Sequence, residues 1–329
     1  MILKIKAAQI ARDLGLSKAT VSLALNDKPG VSQETKELIF DYIKRIENGE
    51  IINSNSLIKI VNYSKKTNTH SNEVDLWSGV LNAFALETKK DGFTLGIDYI
   101  NDDDDQINKL VLECNQANVA GVIVFANELD EDKANLFKKI NKPLVFYDND
   151  FNDDRYSYVM VDNYRGLEKI ILLIKEKGFS NIAYLANSDM NFNFNQRRMA
   201  FNALLQKYDL NGKIFVTGND VASSYQIIKS NLKNSLYPPV LICENYQVSI
   251  GAIKAIEELK LIFKQDVSLI GIDEIPDYFC YGKHLTALKI PHDQRAYLAM
   301  TLLKKEIEKK SEDKFRIYGI CKIIEGDTL

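Results

Sequence analysis

At 329 residues the chain is long enough for two or three domains and a substantial buried core. Its 46% hydrophobic and 26% charged residues, with only 16 Gly and 6 Pro, exclude disordered, collagen-like and coiled-coil classes. The total charge of −3 is unevenly placed: residues 1–45 carry eight basic against five acidic side chains, a head at +3 that leaves −6 for the rest.

Apolar runs such as residues 121–126 and 170–174 are far shorter than the ~20 residues a bilayer crossing requires. The opening MILKIKAAQIARDLG is broken by Lys4, Lys6, Gln9, Arg12 and Asp13 and lacks the apolar stretch of a secretory signal, so the expectation is a cytoplasmic protein with no membrane partner. Cys114, Cys243, Cys280 and Cys321 stand at least 37 residues apart with no CxxC, which suits reduced, buried thiols. Neither a metal nor a cofactor is expected.

In chain order, KAAQIARDLGLSKATVSLALN reads as two short helices across a tight turn. Ile10 and Leu14 share one face, Ala11 permits close approach and Gly15 breaks the helix. Ser17 caps a second helix that turns Val21, Ala24 and Leu25 inward. The spacing is that of a helix-turn-helix, predicted to fill residues 1–46. With the second helix in a major groove, Lys18, Ala19, Ser22, Leu23 and Asn26 face DNA, and Ser17 and Thr20 complete the set; Lys18 is the best base reader. A third helix follows Ser32, with Leu38, Ile39, Tyr42 and Ile43 covering the first two.

Residues 47–57 are polar, with Gly49 and clustered Asn and Ser, and read as a linker. Beyond it, short apolar runs at 58–63, 94–99, 121–126, 143–147, 158–161, 182–186, 240–243 and 267–272 read as buried strands. They alternate with helical segments near 73–90, 105–117, 130–140, 163–177, 195–208, 221–233, 245–259 and 291–309. The β-α order implies parallel sheets covered on both faces, with room for two lobes. The run Asp102 to Asp105 precedes a helix, where carboxylates cap free amides.

The segment IARDLGLSKATVSLALNDKPGVSQETKELI resembles the head of the lactose-repressor (LacI/GalR) family of bacterial transcription regulators. The stretches 161–185, 196–205, 238–259, 265–276 and 285–291 resemble that family's core in the same order. The resemblance implies an all-α helix-turn-helix head plus an α/β, periplasmic-binding-protein-like core of two doubly wound lobes, approximately 58–158 with 291–329, and 159–290. It implies a homodimer on a roughly palindromic operator, and a repressor of carbohydrate-utilisation genes whose DNA affinity responds to a small sugar-like effector between the lobes. Carried over by position, Asp148, Arg197, Asn245 and Asp273 match effector contacts, and their donors and acceptors suit a polyhydroxylated ligand. Asn72 and Glu73 join this set in the stretch 70–73, where relatives have an NPFF-like aromatic wall that Trp77 or Tyr63 would replace.

Several positions depart from the family. Tyr246 replaces an Asp, residues 217–224 lack a stacking aromatic, Leu23 replaces a common Arg, and residues 46–57 lack the hinge-helix signal that kinks the minor groove. Two alternatives remain at this level. One is a cytoplasmic sugar-binding sensor with an impaired head. The other is an enzyme, which the absence of GxGxxG, GxxxxGK[ST] and GxSxG argues against.

Overall fold

A computed structural model describes residues 7–47, 56–65, 77–309 and 312–329. The head has three helices, α1 (Ala7–Asp13), α2 (Lys18–Leu25) and α3 (Gln33–Glu47). Gly15 takes φ +66° in the turn, and Ser17 Oγ accepts the Thr20 N–H at 3.0 Å to start α2. Ile10, Ala11, Val21, Ala24, Ile39 and Tyr42 form the core of this unit. The Tyr42 hydroxyl donates to Asp13 Oδ2 at 2.6 Å, tying α3 to α1. Burial and that bond raise the phenol's pKa.

Two expected core positions point elsewhere. Leu25 is 38% and Leu38 49% exposed. Both lie one residue beside a buried position, Ala24 and Ile39, and the helical period of 3.6 turns a neighbour of a buried residue about 100° away.

The core holds twelve strands among its described residues, in two sheets of six. The first takes β1 (Leu57–Ser64), β2 (Thr94–Asn101), β3 (Val119–Phe125), β4 (Leu144–Tyr147), β5 (Ser157–Val161) and β11 (Arg316–Gly319) in the order β11-β5-β4-β3-β1-β2, all parallel. The second takes β6 (Asn181–Ala186), β7 (Asn211–Val216), β8 (Val240–Cys243), β9 (Ser268–Ile272), β10 (Ala287–Lys289) and β12 (Lys322–Ile324) in the order β12-β10-β9-β8-β6-β7. Only the β10 to β12 pair is antiparallel. The helices are α4 (Trp77–Lys90), α5 (Asp104–Cys114), α6 (Glu131–Phe137) and α7 (Asn163–Glu176), then α8 (Phe192–Tyr208), α9 (Val221–Lys233), α10 (Tyr246–Glu258) and α11 (His292–Ile307). Most central strands, such as β4, β8 and β9, are buried at every residue, as parallel strands covered on both faces must be.

The chain passes between lobes three times, after β5, after β10 and between β11 and β12. This corrects the expected lobe limits. Residues 159–161 stay in the first sheet, paired with β11. The tail beyond residue 320 returns to the second lobe, where Thr328 Oγ1 donates to Leu269 O at 2.7 Å and Leu329 is buried in that lobe's core. Short strands of three or four residues, β10, β11 and β12, carry too little periodicity to be read from sequence. Asp103 caps α5 by accepting from the N–H groups of Asp105 and Gln106, the role expected of the acidic run. All four cysteines are buried and free; burial pushes Cys114, Cys280 and Cys321 up to about 11 and Cys243 up to about 12, which keeps them protonated.

Candidate functional site

On the head, Lys18, Ala19 and Ser22 are exposed along α2, with no side-chain partner among the described residues. The other expected DNA-facing residues are partly spent on the helix. Ser17 and Thr20 share a hydroxyl bond of 2.8 Å, Asn26 ends α2 by donating its amide to Ser22 O at 2.8 Å, and Leu23 is half-buried beside Gly30.

In the core, strands of both lobes end on a shared cavity of about 460 Å³. Asp148, Arg197, Asn245 and Asp273 all line it. Asn72 and Glu73 lie outside the described residues, as does the side chain of Trp77. Tyr63 does not wall the cleft: it is 3% exposed, packed edge-on against Phe137 at 6.2 Å in the first lobe's core. A residue inside a strand points to one face of the sheet, and Tyr63 falls on the α5 and α6 side.

Asp148 and Asp273 occupy equivalent places in the two lobes, one residue past β4 and one past β9. Each adopts a left-handed backbone, φ 66° and 80°, and each N–H still donates to the neighbouring strand at 3.0 Å, to Val159 O and Leu288 O. Positive φ on a residue with a Cβ is strained, and such strain collects at functional sites. Asp148 is ion-paired with Arg295 of α11, whose guanidinium lies 4.2 Å from the Tyr147 ring centre. Burial opposes the charge of Arg295, but Asp148 outweighs it and its pKa stays above the ordinary value. Gly319 makes room for this arginine; a Cβ there would meet Arg295 Cδ at 2.7 Å. Asp273 accepts from His292 Nε2 at 3.1 Å at the start of α11.

Arg197 sits 6% exposed with Nε on Asn163 Oδ1 (2.9 Å) and Nη1 on Glu244 O (2.7 Å). Asn245 caps α10 through Val248 N–H at 3.0 Å and turns its amide to Gln247 Oε1 at 3.1 Å.

The sequence reading missed the residues that tie the lobes together. Asn127, after β3, accepts from the backbone and side-chain nitrogens of Asn193, both at 3.1 Å. Asn193 Oδ1 accepts from Asn163 at 2.7 Å, so one hydrogen-bonded relay runs from the first lobe through Asn193 and Asn163 to Arg197. Beneath it Glu244 is fully buried, held by Arg198 Nε at 2.7 Å and Nη2 at 2.6 Å and by the Asn187 N–H at 2.8 Å. A signal existed for these: Asn127, Asn187 and Glu244 each follow a parallel strand within one or two residues, the place where open α/β sheets bind ligands. An aromatic missing from residues 217–224 is supplied elsewhere, since Phe194 lines the cavity under the Arg197 guanidinium at 5.8 Å.

Among the described residues no helix is long and apolar enough to cross a membrane, and no cluster of His, Cys, Asp and Glu could hold a metal.

Known proteins share this plan. Residues 8–47 match the model for bacterial regulatory proteins of the lacI family, and residues 67–311 match the model for a periplasmic binding protein domain. The chain is 22% identical to the HTH-type transcriptional repressor PurR of Actinobacillus pleuropneumoniae, over 93% of this chain and 91% of that one. The Lac repressor dimer bound to operator and the anti-inducer ONPF superposes with TM-score 0.74 at 18% identity, over 98% of both chains. The transcriptional regulator CelR in complex with cellobiose does so with TM-score 0.71 at 15% identity, over 99% of this chain and 100% of that one. The chain thus belongs to the lacI family of bacterial regulatory proteins, with a helix-turn-helix head ahead of a periplasmic binding protein domain.

Proposed function

We propose that this protein is a sequence-specific DNA-binding transcriptional regulator, a repressor of carbohydrate-utilisation genes, that acts as a cytoplasmic homodimer on a roughly palindromic operator and is governed by a small sugar-like effector in the cleft. The observation that carries it is the joining, on one chain, of a Ser17-capped α2 with Lys18, Ala19 and Ser22 exposed to a cavity lined by Asp148, Arg197, Asn245 and Asp273. The operator-bound dimer of the Lac repressor and the cellobiose-bound CelR support both halves by analogy of fold.

In this reading Lys18 and Ser22 reach base edges or phosphates, with Ser17, Ala19, Thr20, Leu23 and Asn26 shaping the contact surface. Asp148, Arg197, Asn245 and Asp273, with Asn72 and Glu73 from the segment beyond β1, hold the effector. The relay Asn127–Asn193–Asn163–Arg197 joins the ligand site to the lobe boundary, so filling the cleft biases the lobe angle and with it the spacing of the heads. A coupling of about 1–3 kcal/mol is the usual size of such an effect. A catalytic role has little support: His292 contacts Asp273, and among the described residues no serine or cysteine lies in hydrogen-bond reach of its ring.

Fluorescence anisotropy with a duplex from upstream of the protein's own gene tests this, against a scrambled duplex and a variant lacking residues 1–45, at two salt concentrations. Selective, salt-sensitive binding that needs the head, with Kd on the order of 10⁻⁸ to 10⁻¹¹ M, is expected. Equal weak binding to both duplexes, with no site recovered from a genome-wide selection, would leave a sensor whose head does not regulate.

A further inference from the structure

We propose, resting on the reading of this cleft as the effector site, that its ligand is polyhydroxylated and carries no negative charge, so that amine-bearing or neutral sugars are accepted and phosphorylated or carboxylated ones are turned away. Five carboxylates line the cavity: Glu128, Asp148, Asp189, Asp220 and Asp273. Three cations face them, Lys65, Arg197 and Arg295, so carboxylates outnumber lysine and arginine side chains on the described lining by two.

The cations are also committed. Lys65 Nζ pairs with Asp130 at 3.2 Å, and Arg295 pairs with Asp148. Arg197 has given Nε to Asn163 and one N–H of Nη1 to the Glu244 carbonyl, so the side-on fork that grips phosphate or carboxylate is closed and its remaining N–H groups, on Nη2 and Nη1, suit hydroxyls.

Helix N-termini are the other common anion sites, and four open on this cavity. The start of α11 has no side-chain cap but already faces a carboxylate, Asp273 at 3.1 Å from His292 Nε2, and the other three are closed by their own side chains. Asn191 caps α8 at Phe194 N–H, Asp220 caps α9 at Ser223 N–H, and Asn245 caps α10 at Val248 N–H. At α9 the cap is itself a carboxylate.

What the cavity does offer suits hydroxyl groups. Three of its lining residues carry buried polar atoms without a hydrogen-bond partner among the described residues, Tyr147 Oη, His292 Nδ1 and Arg295 Nε. A phenol, an imidazole nitrogen and a guanidinium already neutralised by Asp148 together supply donors and acceptors to a group that can be both, as a sugar hydroxyl is.

The test uses the full chain and thermal shift across matched sets: glucose, galactose and cellobiose, glucosamine and galactosamine, and the 6-phosphates of glucose and galactose. Stabilisation by an unmodified or amino sugar is expected, with the phosphate of the same sugar at least about tenfold weaker because like charges in a shielded site repel. Glu128→Gln removes one surplus charge and should narrow the gap between the amino and phosphate forms. A phosphate that binds as tightly as its parent, or a gap that Glu128→Gln leaves unchanged, overturns the proposal. A full panel without any shift overturns the sugar-effector reading instead, and the proposal falls with it.

Discussion

Arg198→Ala is expected to destabilise the second lobe by stranding a buried carboxylate, Glu244, just after β8. Glu244 has no solvent exposure and takes three hydrogen bonds, two from Arg198 and one from the Asn187 N–H. The Arg198 side chain is 15% exposed, and the bond to Glu244 raises its pKa despite burial. Removing the arginine strands a buried carboxylate on one remaining N–H, and breaking such a pair costs about 3–5 kcal/mol. The partial exposure of Arg198 lets water reach the gap, which places the expected loss near the lower end, about 3 kcal/mol. At roughly 2–4 °C per kcal/mol for a unit of this size, Tm should fall by about 6–12 °C. The assay is thermal and urea unfolding of Arg198→Ala, Glu244→Gln and the double variant. Glu244→Gln removes the stranded charge, so the double variant should be more stable than Arg198→Ala alone. A loss below about 1 kcal/mol for Arg198→Ala, with simple additivity in the double variant, would mean that the pair is screened by solvent and that the argument from burial fails.

Lys18→Ala should weaken operator binding and lower the magnitude of its salt slope by about 1 if the residue meets a phosphate, or relax sequence preference if it meets a base; anisotropy against salt and single-base variants distinguishes the two. Ser17→Ala removes the cap of α2 and should cost the head about 1 kcal/mol, seen as faster amide exchange in residues 18–25 ahead of any change in the core. Asn193→Ala cuts the relay between lobes and should reduce the effector-dependent change in operator affinity while leaving affinity without effector within about twofold, since its partners Asn127 and Asn163 belong to the core and not to the head; unchanged coupling would sink the relay. Glu168 is held down to about 2 from 4.5 by Lys207 first, then Arg165 and Tyr208. A depressed carboxylate contributes stability above its unfolded pKa and loses it as pH falls from about 4.5 toward 2, so Tm should drop over that window less steeply in Glu168→Gln than in the wild type.

The sequence made the repeating strands and helices readable because long parallel strands are apolar throughout and their helices periodic, as in β3 and α7. It failed where an element is short or where a side chain's partner lies in the other lobe. Arg295 lies 147 positions after Asp148, and only the crossover into α11 brings them together. No local pattern announces that Asp148 is already satisfied when Asp273, its counterpart one residue past β9, answers to a histidine. Position relative to strand ends therefore predicts which residues reach the cleft, while the charge a ligand meets there depends on pairings made across the crossovers. Strand-end position marked Asp273 from sequence and the family resemblance added Asp148, Arg197 and Asn245, whereas the selectivity of the cavity for uncharged or cationic sugars rests on Arg197, Arg295 and Lys65 being held by their partners.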